Sequence, residues 1–191
     1  FARLPKLCPF VHLPLQSGSN RVLKAMKRPY TRERYLEIVN ALRAARPDIS
    51  FCTDIIVGFP GETQEDFEQT AELFDTVKFE MAYIFKYSPR AGTPAAELTQ
   101  ALIPDEVMQQ RNQILLEKLE RYSLTANEKL VGTTQRILVE APARKGQNIW
   151  MGFNPQHRKV LFETPPNTHP EGQLLNLKIE RASAATLFGV M

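Results

Sequence analysis

The sequence has little cysteine and no long hydrophobic run. Its two cysteines, Cys8 and Cys52, stand far apart and outside any CxxC spacing, which excludes a disulfide scaffold and a zinc ribbon. No stretch approaches the roughly 18 apolar residues of a membrane span, and no apolar signal region opens the chain. We therefore expect a reducing, cytoplasmic setting without a membrane partner. Both cysteines are predicted to be small core residues.

An excess of one charge sign is also missing from most of the chain. The whole sequence holds 24 Lys/Arg and 21 Asp/Glu. Residues 1–124 contain 16 of each class, whereas residues 125–191 contain eight basic and five acidic residues. The positive excess lies in the last third, which indicates a module that faces a polyanion.

Recognisable catalytic motifs are absent as well. There is no Ser–His–Asp order, paired-carboxylate motif or P-loop. His12 lies in an apolar segment and is predicted to be a hydrogen-bonded core histidine, while His157 and His169 have no second ligand at metal spacing. The sequence thus predicts a face that binds a ligand, with no catalytic group and no metal site in this chain.

What is present in residues 9–125 is an alternation of strands and helices. The predicted strands are 9–16, 49–57 and 80–87. The predicted helices have N-caps at Ser19, Thr31 and Thr63 or open at Pro104, and the last should bury Val107, Ile114, Leu115, Leu119 and Tyr122. Such βαβ units form parallel sheets. Three units are too few for a closed barrel, and the chain starts abruptly at Phe1. We therefore expect upstream strands that complete a TIM-like α/β barrel or a doubly wound sheet within a longer protein.

After Gly132 the pattern changes to strands alone. Apolar, β-branched runs at 134–141, 148–153, 158–164 and 173–180 are separated by polar or Pro/Gly-rich links. Strands at this spacing predict a small all-β barrel of the OB type. The expected domains are therefore residues 1–124 and 125–191.

Three predicted turns follow the carboxyl ends of the strands, at 16–19, 58–63 and 86–93. Ligands bind at this edge in α/β folds, although Gly and Ser also simply make turns and caps. Asp54 lies inside the second strand and needs a partner. It either bonds backbone or an arginine, or accepts from a hydroxyl of a ligand.

Two basic pairs mark the β part, Arg144-Lys145 and Arg158-Lys159. Basic side chains contact phosphates, and exposed aromatics stack on bases. Trp150, Phe153 and Phe162 lie among the pairs and either stack on RNA or fill the core. The local charge excess favours RNA.

Three long blocks, HLPLQSGSNRVLKAMKRPYTRERYLEIV, TDIIVGFPGET and FKYSPRAGTPAA, resemble the methylthiotransferase family of radical S-adenosylmethionine enzymes. The resemblance is closest to the branch that makes 2-methylthio-isopentenyladenosine in tRNA, and it spans nearly the whole chain. It implies that residues 1–124 are the C-terminal half of a radical barrel and that residues 125–191 are a TRAM domain.

The resemblance also implies cofactors, partners and site residues. The family uses S-adenosylmethionine and two 4Fe-4S clusters, whose cysteines have no counterparts here, so the chain alone should be inactive. Gln16 and Ser17 would lie near the ribose and methionine end of the cofactor, Asp54 to Gly58 along the adenosine, and Phe85 to Tyr87 at the adenine edge.

The implied partner is the anticodon stem-loop of tRNA, which Arg144, Lys145, Arg158 and Lys159 would contact, and we expect a monomer. Where Gly-Arg-Thr is common in the family's TRAM domain, this chain has Gly152-Phe153-Asn154, so one basic contact is missing. Alternatives are a methylthiotransferase for threonylcarbamoyladenosine tRNA or for a ribosomal protein, and a non-catalytic RNA-binding module. A phosphate-ligand barrel enzyme is disfavoured because no Gly-rich phosphate loop is present.

Overall fold

A computed structural model describes residues 1, 3–4, 6–146 and 148–191, apart from the side chain of Gln100. The chain divides into two compact units. The α/β unit comprises residues 11–119, and the β-barrel unit comprises residues 120–191 together with residues 1–10.

The α/β unit alternates strands and helices as predicted. Its strands are β1 (Phe10–His12), β2 (Ser50–Val57) and β3 (Met81–Lys86), and its helices are α1 (Asn20–Ala25), α2 (Arg32–Ala45), α3 (Gln64–Val77) and the start of α4 (Asp105–Glu128), with short 3-10 turns at Pro94–Glu97 and Thr99–Ala101. The sheet order is β1-β2-β3, and β2 runs parallel to β3 with Cys52 opposite Met81 and Val57 opposite Lys86.

The first strand is shorter than predicted. Regular pairing covers only Phe10–His12, and Gln16 forms an isolated parallel bridge with Ile55. Pro14 lies between them and has no N–H to donate, while the Leu15 N–H bonds Thr53 Oγ1 at 3.0 Å instead of a backbone carbonyl. The backbone therefore leaves the regular ladder before returning to it at Gln16.

Helix starts follow the predicted capping chemistry. Ser19, Thr31 and Thr63 all accept a backbone N–H from the first turn of their helices, and Thr63 forms a capping box with Asp66. In α4 the predicted buried face is partly wrong. Leu115 is fully buried, but Ile114 is exposed. The charged Arg111, one turn before Leu115, is buried although it was not predicted to be.

The β-barrel unit is a closed five-stranded barrel in the order β4-β5-β6-β8-β7. Its strands are β4 (Thr134–Pro142), β5 (Ile149–Phe153), β6 (Lys159–Glu163), β7 (Leu174–Ala182) and β8 (Leu187–Val190). Strand β8 was not predicted. It pairs parallel with β6 and antiparallel with β7, and so joins the two strands that would otherwise be edges.

The core of this barrel is apolar and includes the aromatic residues Trp150 and Phe162. Its buried members are Ile137, Val139, Trp150, Val160, Phe162, Leu177, Ile179 and Leu187. Trp150 and Phe162 are therefore core residues and cannot stack on RNA bases. Cys52 is buried as predicted, and burial raises the pKa of its thiol to about 11. Cys8 is exposed, so its prediction as a core residue was wrong.

Within the described residues, no helix combines the length and the hydrophobicity that a membrane crossing requires.

Candidate functional site

The α/β unit contains a cleft of about 590 Å³ at the carboxyl ends of β2 and β3. This volume falls in the range usual for small-molecule sites. Its lining is mixed in polarity and comprises Gln16, Ala25, Met26, Lys27, Arg28, Asp54, Ile56, Phe59, Phe85, Lys86, Tyr87, Ser88, Arg90, Thr93, Pro94 and Ala95.

Four of the six predicted cofactor residues line this cleft together. Gln16 follows β1, Asp54 lies inside β2, and Phe85 and Tyr87 lie at the end of β3. The sequence reasoning relied on the rule that parallel strands gather their carboxyl ends at one edge. The remaining two residues, Ser17 and Gly58, do not line the cleft.

Ser17 is fully buried and its hydroxyl is engaged within the protein. Its Oγ lies 3.4 Å from Thr70 Oγ1 and accepts the Ser19 N–H at 3.2 Å. These bonds hold the turn before α1 against α3. Ser17 therefore supports the turn behind the cleft rather than its surface.

Gly58 is needed for the shape of the turn after β2. Its φ is +76°, and a Cβ there would come within 2.2 Å of Met108 Cγ. The Gly58 N–H donates to Glu62 Oε2 at 2.7 Å. That N–H is thus already satisfied, and the residue shapes the turn rather than offering a donor to a ligand.

Gln16 has an uncommon backbone conformation for a residue other than glycine, with φ at +70°. The ladder fixes it on both sides: its N–H bonds the Asp54 carbonyl at 2.8 Å, and its carbonyl accepts the Ile56 N–H at 3.0 Å. Strained conformations that the surrounding structure holds in place cluster at binding sites. Gln16 itself lines the cleft.

Asp54 is paired with His12 through a hydrogen bond of 2.9 Å between Oδ1 and Nε2. The Asp54 side chain is 27% exposed and the His12 side chain 41% exposed. His12 is therefore not the core histidine that was predicted, because its strand leaves this face of the sheet uncovered. Among the residues described, the Asp54 side chain bonds neither backbone nor arginine. Its carboxylate lines the cleft and can accept further hydrogen bonds there.

The wall of the cleft contains an aromatic pair, Phe59 and Tyr87, whose ring centroids are 5.5 Å apart at 76°. The Tyr87 hydroxyl is buried and has no hydrogen-bond partner among the described residues. An orphaned buried hydroxyl is costly unless a ligand or water satisfies it. Sequence reasoning missed Phe59, although its place between Gly58 and Pro60 in the strand-end turn could have indicated it.

A buried ion pair fastens the turn that carries Phe59. Glu62 Oε2 bonds Arg111 Nη1 at 2.6 Å as well as the Gly58 N–H, and both side chains are almost inaccessible. Burial raises the pKa of the Glu62 carboxyl, while the Gly58 N–H and Arg111 oppose the rise. Arg111 lies 49 residues away on α4, and no local signal pointed to this pair.

The basic pairs of the β-barrel unit differ in their surroundings. Arg144 and Lys145 are exposed in the link between β4 and β5. Arg158 is half-buried and donates from Nη1 to Asn127 Oδ1 at 2.5 Å. Lys159 is half-buried at the start of β6. The first pair is thus open to a phosphate, whereas Arg158 already has a structural partner.

Comparisons with known proteins agree with the architecture. Residues 1–74 match the family model of the Radical SAM superfamily. The chain is 56% identical over 189 residues to the tRNA-2-methylthio-N(6)-dimethylallyladenosine synthase of Opitutus terrae, covering 99% of this chain and 38% of that protein. The proteins of the same name from Akkermansia muciniphila and Rickettsia rickettsii are each 45% identical, over 100% and 97% of this chain and 41% of their own lengths.

The chain belongs to the radical SAM superfamily, on the match over residues 1–74 and the identity to these synthases over nearly its whole length. Within it, the chain is a member of the methylthiotransferase family that these synthases represent. It spans about two fifths of the length of these relatives. Membership implies chemistry that uses S-adenosylmethionine and iron–sulfur clusters.

The cleft and the cysteines fit these two groups differently. The cleft fits S-adenosylmethionine, because it combines the exposed Phe85 ring, the Asp54 carboxylate and the Tyr87 hydroxyl, which has no hydrogen-bond partner among the described residues. The cysteines do not fit an iron–sulfur cluster, since a 4Fe-4S cluster is held by three or four thiolates and this sequence has two, one of them buried. Among the described residues, no group of three His, Cys, Asp or Glu could hold a metal ion.

Proposed function

We propose that this chain is the C-terminal part of a tRNA methylthiotransferase. In this reading the whole protein adds a methylthio group to isopentenyladenosine beside the anticodon. The observation that carries the proposal is the identity of 45–56% over at least 97% of the chain to synthases named for that product. The cleft at the strand ends supports it independently.

The cleft is the proposed seat of S-adenosylmethionine, the source of the family's radical chemistry. Asp54 accepts from ribose hydroxyls, because a carboxylate has acceptors beyond its bond to His12. Phe85 offers an exposed ring to the adenine. The buried Tyr87 hydroxyl bonds a polar cofactor atom, and Gln16 lies toward the methionine end. Ser17 and Gly58 support these residues from behind.

The clusters and the reaction itself require residues outside this sequence. We propose two 4Fe-4S clusters whose ligands come from the part of the longer relatives that this chain does not cover. With two cysteines in the sequence and no cluster site among the described residues, residues 1–191 alone bind the cofactor without converting it. We further propose that the chain is monomeric and cytoplasmic.

We propose that the β-barrel is a TRAM domain, formed by residues 125–191, that binds RNA. Residues 1–124 are then the C-terminal half of the radical S-adenosylmethionine α/β barrel. A five-stranded closed barrel with one parallel pair, β6 and β8, is the topology expected of an OB-like fold. The excess of eight basic over five acidic residues supports RNA as its ligand. Arg144 and Lys145 are exposed and are the proposed main contacts for the anticodon stem-loop. The half-buried Lys159 adds a further positive charge. Arg158 contributes less, because its guanidinium already bonds Asn127.

Calorimetric titration of the chain with S-adenosylmethionine tests the cofactor seat. We expect binding that Phe85→Ala weakens by roughly tenfold, in line with about 1–3 kcal/mol for a lost aromatic stack. Tyr87→Phe should weaken it less, by the value of one hydrogen bond. The control is Leu116→Ala, which truncates an exposed side chain on α4 that does not line the cleft. Equal affinities for all four proteins would refute the assignment.

A longer protein that contains the upstream cysteines tests the reaction. It should bind iron and sulfur and methylthiolate tRNA that carries isopentenyladenosine. Modification of threonylcarbamoyladenosine tRNA or of a ribosomal protein instead would move the protein to another branch of the family. Salt-dependent tRNA binding without any response to S-adenosylmethionine would favour the non-catalytic RNA-binding module.

A further inference from the structure

The first two turns of α4 contact two segments that line the cleft. The contacts come from Asp105, Met108, Arg111 and Asn112, at intervals that place them on one face of the helix. We call these four residues the α4 contact face. None of them is among the residues that line the cleft. Any effect they have on the cleft is therefore exerted through the segments that they contact.

The first of these segments is the end of β3, where the residues on both sides of Phe85 are bonded to α4. The Ile84 carbonyl accepts from Asn112 Nδ2 at 2.9 Å. Lys86 Nζ donates to Asp105 Oδ1 at 2.9 Å. Because β3 is the last strand of the sheet, the Ile84 carbonyl faces an edge that no strand covers among the described residues. The Asn112 amide thus takes the place of a neighbouring strand.

The second segment is the turn after β2, which brings Phe59 to the cleft. Arg111 bonds Glu62, which in turn accepts the Gly58 N–H. Met108 fills the space beside Gly58, since a Cβ there would lie 2.2 Å from Met108 Cγ. The turn is therefore fixed to the same face of α4 as the end of β3.

The bonds from α4 to β3 have a mainly local effect. Arg111 and Asn112 are consecutive, so a single turn of a rigid element bonds both segments. A neutral hydrogen bond and an exposed ion pair contribute little to overall stability. What they do fix is the backbone on both sides of Phe85, at the end of a strand that is paired on one side only.

We propose that Asn112 and Asp105 are positioning residues, which fix the end of β3 so that the Phe85 ring faces S-adenosylmethionine. This inference rests on the proposed function, because it concerns the same cofactor seat. Neither residue touches the cofactor, and both act through β3. Arg111 holds the other segment, but its loss also destabilises the fold, so the tests use Asn112 and Asp105.

Amide hydrogen exchange tests the positioning of β3 without any cofactor. The Tyr87 N–H donates to the Val57 carbonyl at the end of β3, whereas the Ile56 N–H donates to the Gln16 carbonyl on the other side of β2. Asn112→Ala should speed exchange at Tyr87 about fivefold, the value of one hydrogen bond, and leave Ile56 unchanged. Equal acceleration at both amides would indicate general destabilisation and overturn the proposal.

The matched control for Asn112→Ala is Gln113→Ala. It removes a side-chain amide from the next position of α4, where the amide bonds Glu117 on the same helix. Exchange at Tyr87 and Ile56 should be the same as in the unaltered chain. If Gln113→Ala accelerated Tyr87 as much as Asn112→Ala does, the bond to Ile84 would not be the cause and the proposal would fail.

Calorimetric titration with S-adenosylmethionine tests whether this position matters for binding. Asn112→Ala should weaken binding about fivefold in the otherwise unaltered chain. In a chain that already carries Phe85→Ala, the same change should weaken binding by less than about twofold, because Asn112 acts through that ring. Asp105→Asn should also weaken binding, whereas Glu106→Gln, which removes an exposed charge from the same turn, should not.

The outcomes separate this inference from the proposed function. If the unaltered chain fails to bind S-adenosylmethionine but Asn112→Ala accelerates Tyr87 alone, the cofactor seat is lost and the positioning of β3 by α4 stands. If the cofactor binds and Asn112→Ala changes neither exchange nor affinity, the seat stands and the positioning role is overturned. A loss of affinity that is equal with and without Phe85 also overturns it, because Asn112 would then act elsewhere.

Discussion

At the scale of single residues, Asp66 holds the turn before α1 to the start of α3. Its carboxylate accepts from Ser19 Oγ at 2.6 Å, from Thr63 N and Oγ1 at 2.8 and 2.7 Å, and from the Arg21 guanidinium. Burial opposes its ionisation, but the bonds from Arg21, Ser19 and Thr63 outweigh burial and hold the pKa of this carboxyl well below its usual range.

Asp66→Asn should therefore lower the free energy of unfolding at pH 7 by about 2–3 kcal/mol, since charge-assisted bonds are lost around a buried group. Because the folded pKa lies below the unfolded value of about 3.9, the contribution is complete above that pH and disappears as the pH falls through the folded pKa. Urea unfolding should show a smaller difference in the free energy of unfolding between the unaltered chain and Asp66→Asn at pH 3 than at pH 7. Asp48→Asn, at an exposed ion pair, is the control and should change little.

The Glu62–Arg111 pair gives the opposite dependence on pH. Arg111→Met leaves the buried Glu62 carboxylate without its cation and should cost about 3–5 kcal/mol. A folded pKa above the unfolded one favours the native state at low pH and disfavours it as the pH rises through the folded value. The loss should thus be larger at pH 8 than at pH 5. Adding Glu62→Gln to Arg111→Met should remove this pH dependence, and a loss unaffected by pH would contradict the burial argument.

Residue identities at the site could be predicted where strand position decides them. Gln16, Phe85 and Tyr87 line one cleft, as expected of residues at the ends of parallel strands, whereas Asp54 drew attention as a carboxylate inside a strand. Ser17 and Gly58 occupy the same segments but point their polar groups into the protein. Strand position does not reveal which way a turn residue faces, and it does not reveal Arg111, whose partner is distant in sequence.

At the scale of elements, the turn before α1 packs directly on α3. A Cβ on Gly18 would lie 2.5 Å from Thr70 Cα and 2.6 Å from the Gln69 carbonyl oxygen, both backbone atoms that cannot move aside. Gly18→Ala should therefore destabilise the chain by roughly 3 kcal/mol. Gly61→Ala is the control, because its φ is +80° but its nearest neighbour would be 3.9 Å away, and it should cost about 1 kcal/mol. Thermal denaturation of both variants measures the difference, and equal losses would exclude the steric explanation.

Elements were predictable where local chemistry specifies them. The three N-caps, and the apolar run of β2, are short-range signals, and the structure has each of them. Strand β8 was missed because its segment, Leu187–Val190, is only four residues long. Its identity as a strand depends on pairing with β6 and β7, which no local pattern contains.

At the scale of the whole molecule, the uneven distribution of charge leads to a test of the RNA module. Arg144 and Lys145 are exposed, and each phosphate contact in a duplex contributes a slope of about −0.9 to log K against log salt. Substituting both with Gln should reduce the slope for an anticodon stem-loop RNA by nearly two and weaken binding at low salt. Filter binding at several salt concentrations measures both quantities.

The control for this test removes two charges from the other unit, as Lys24→Gln with Arg34→Gln, both exposed on helices. If the RNA responded only to net charge, both double variants would lose affinity equally. If the β-barrel binds the RNA, only Arg144 and Lys145 change the slope. Arg158→Gln should instead lower the melting temperature, because its guanidinium bonds Asn127 within the β-barrel unit. If Arg158→Gln changed the slope of log K against log salt and left the melting temperature unaltered, Arg158 would be an RNA contact and not a structural residue.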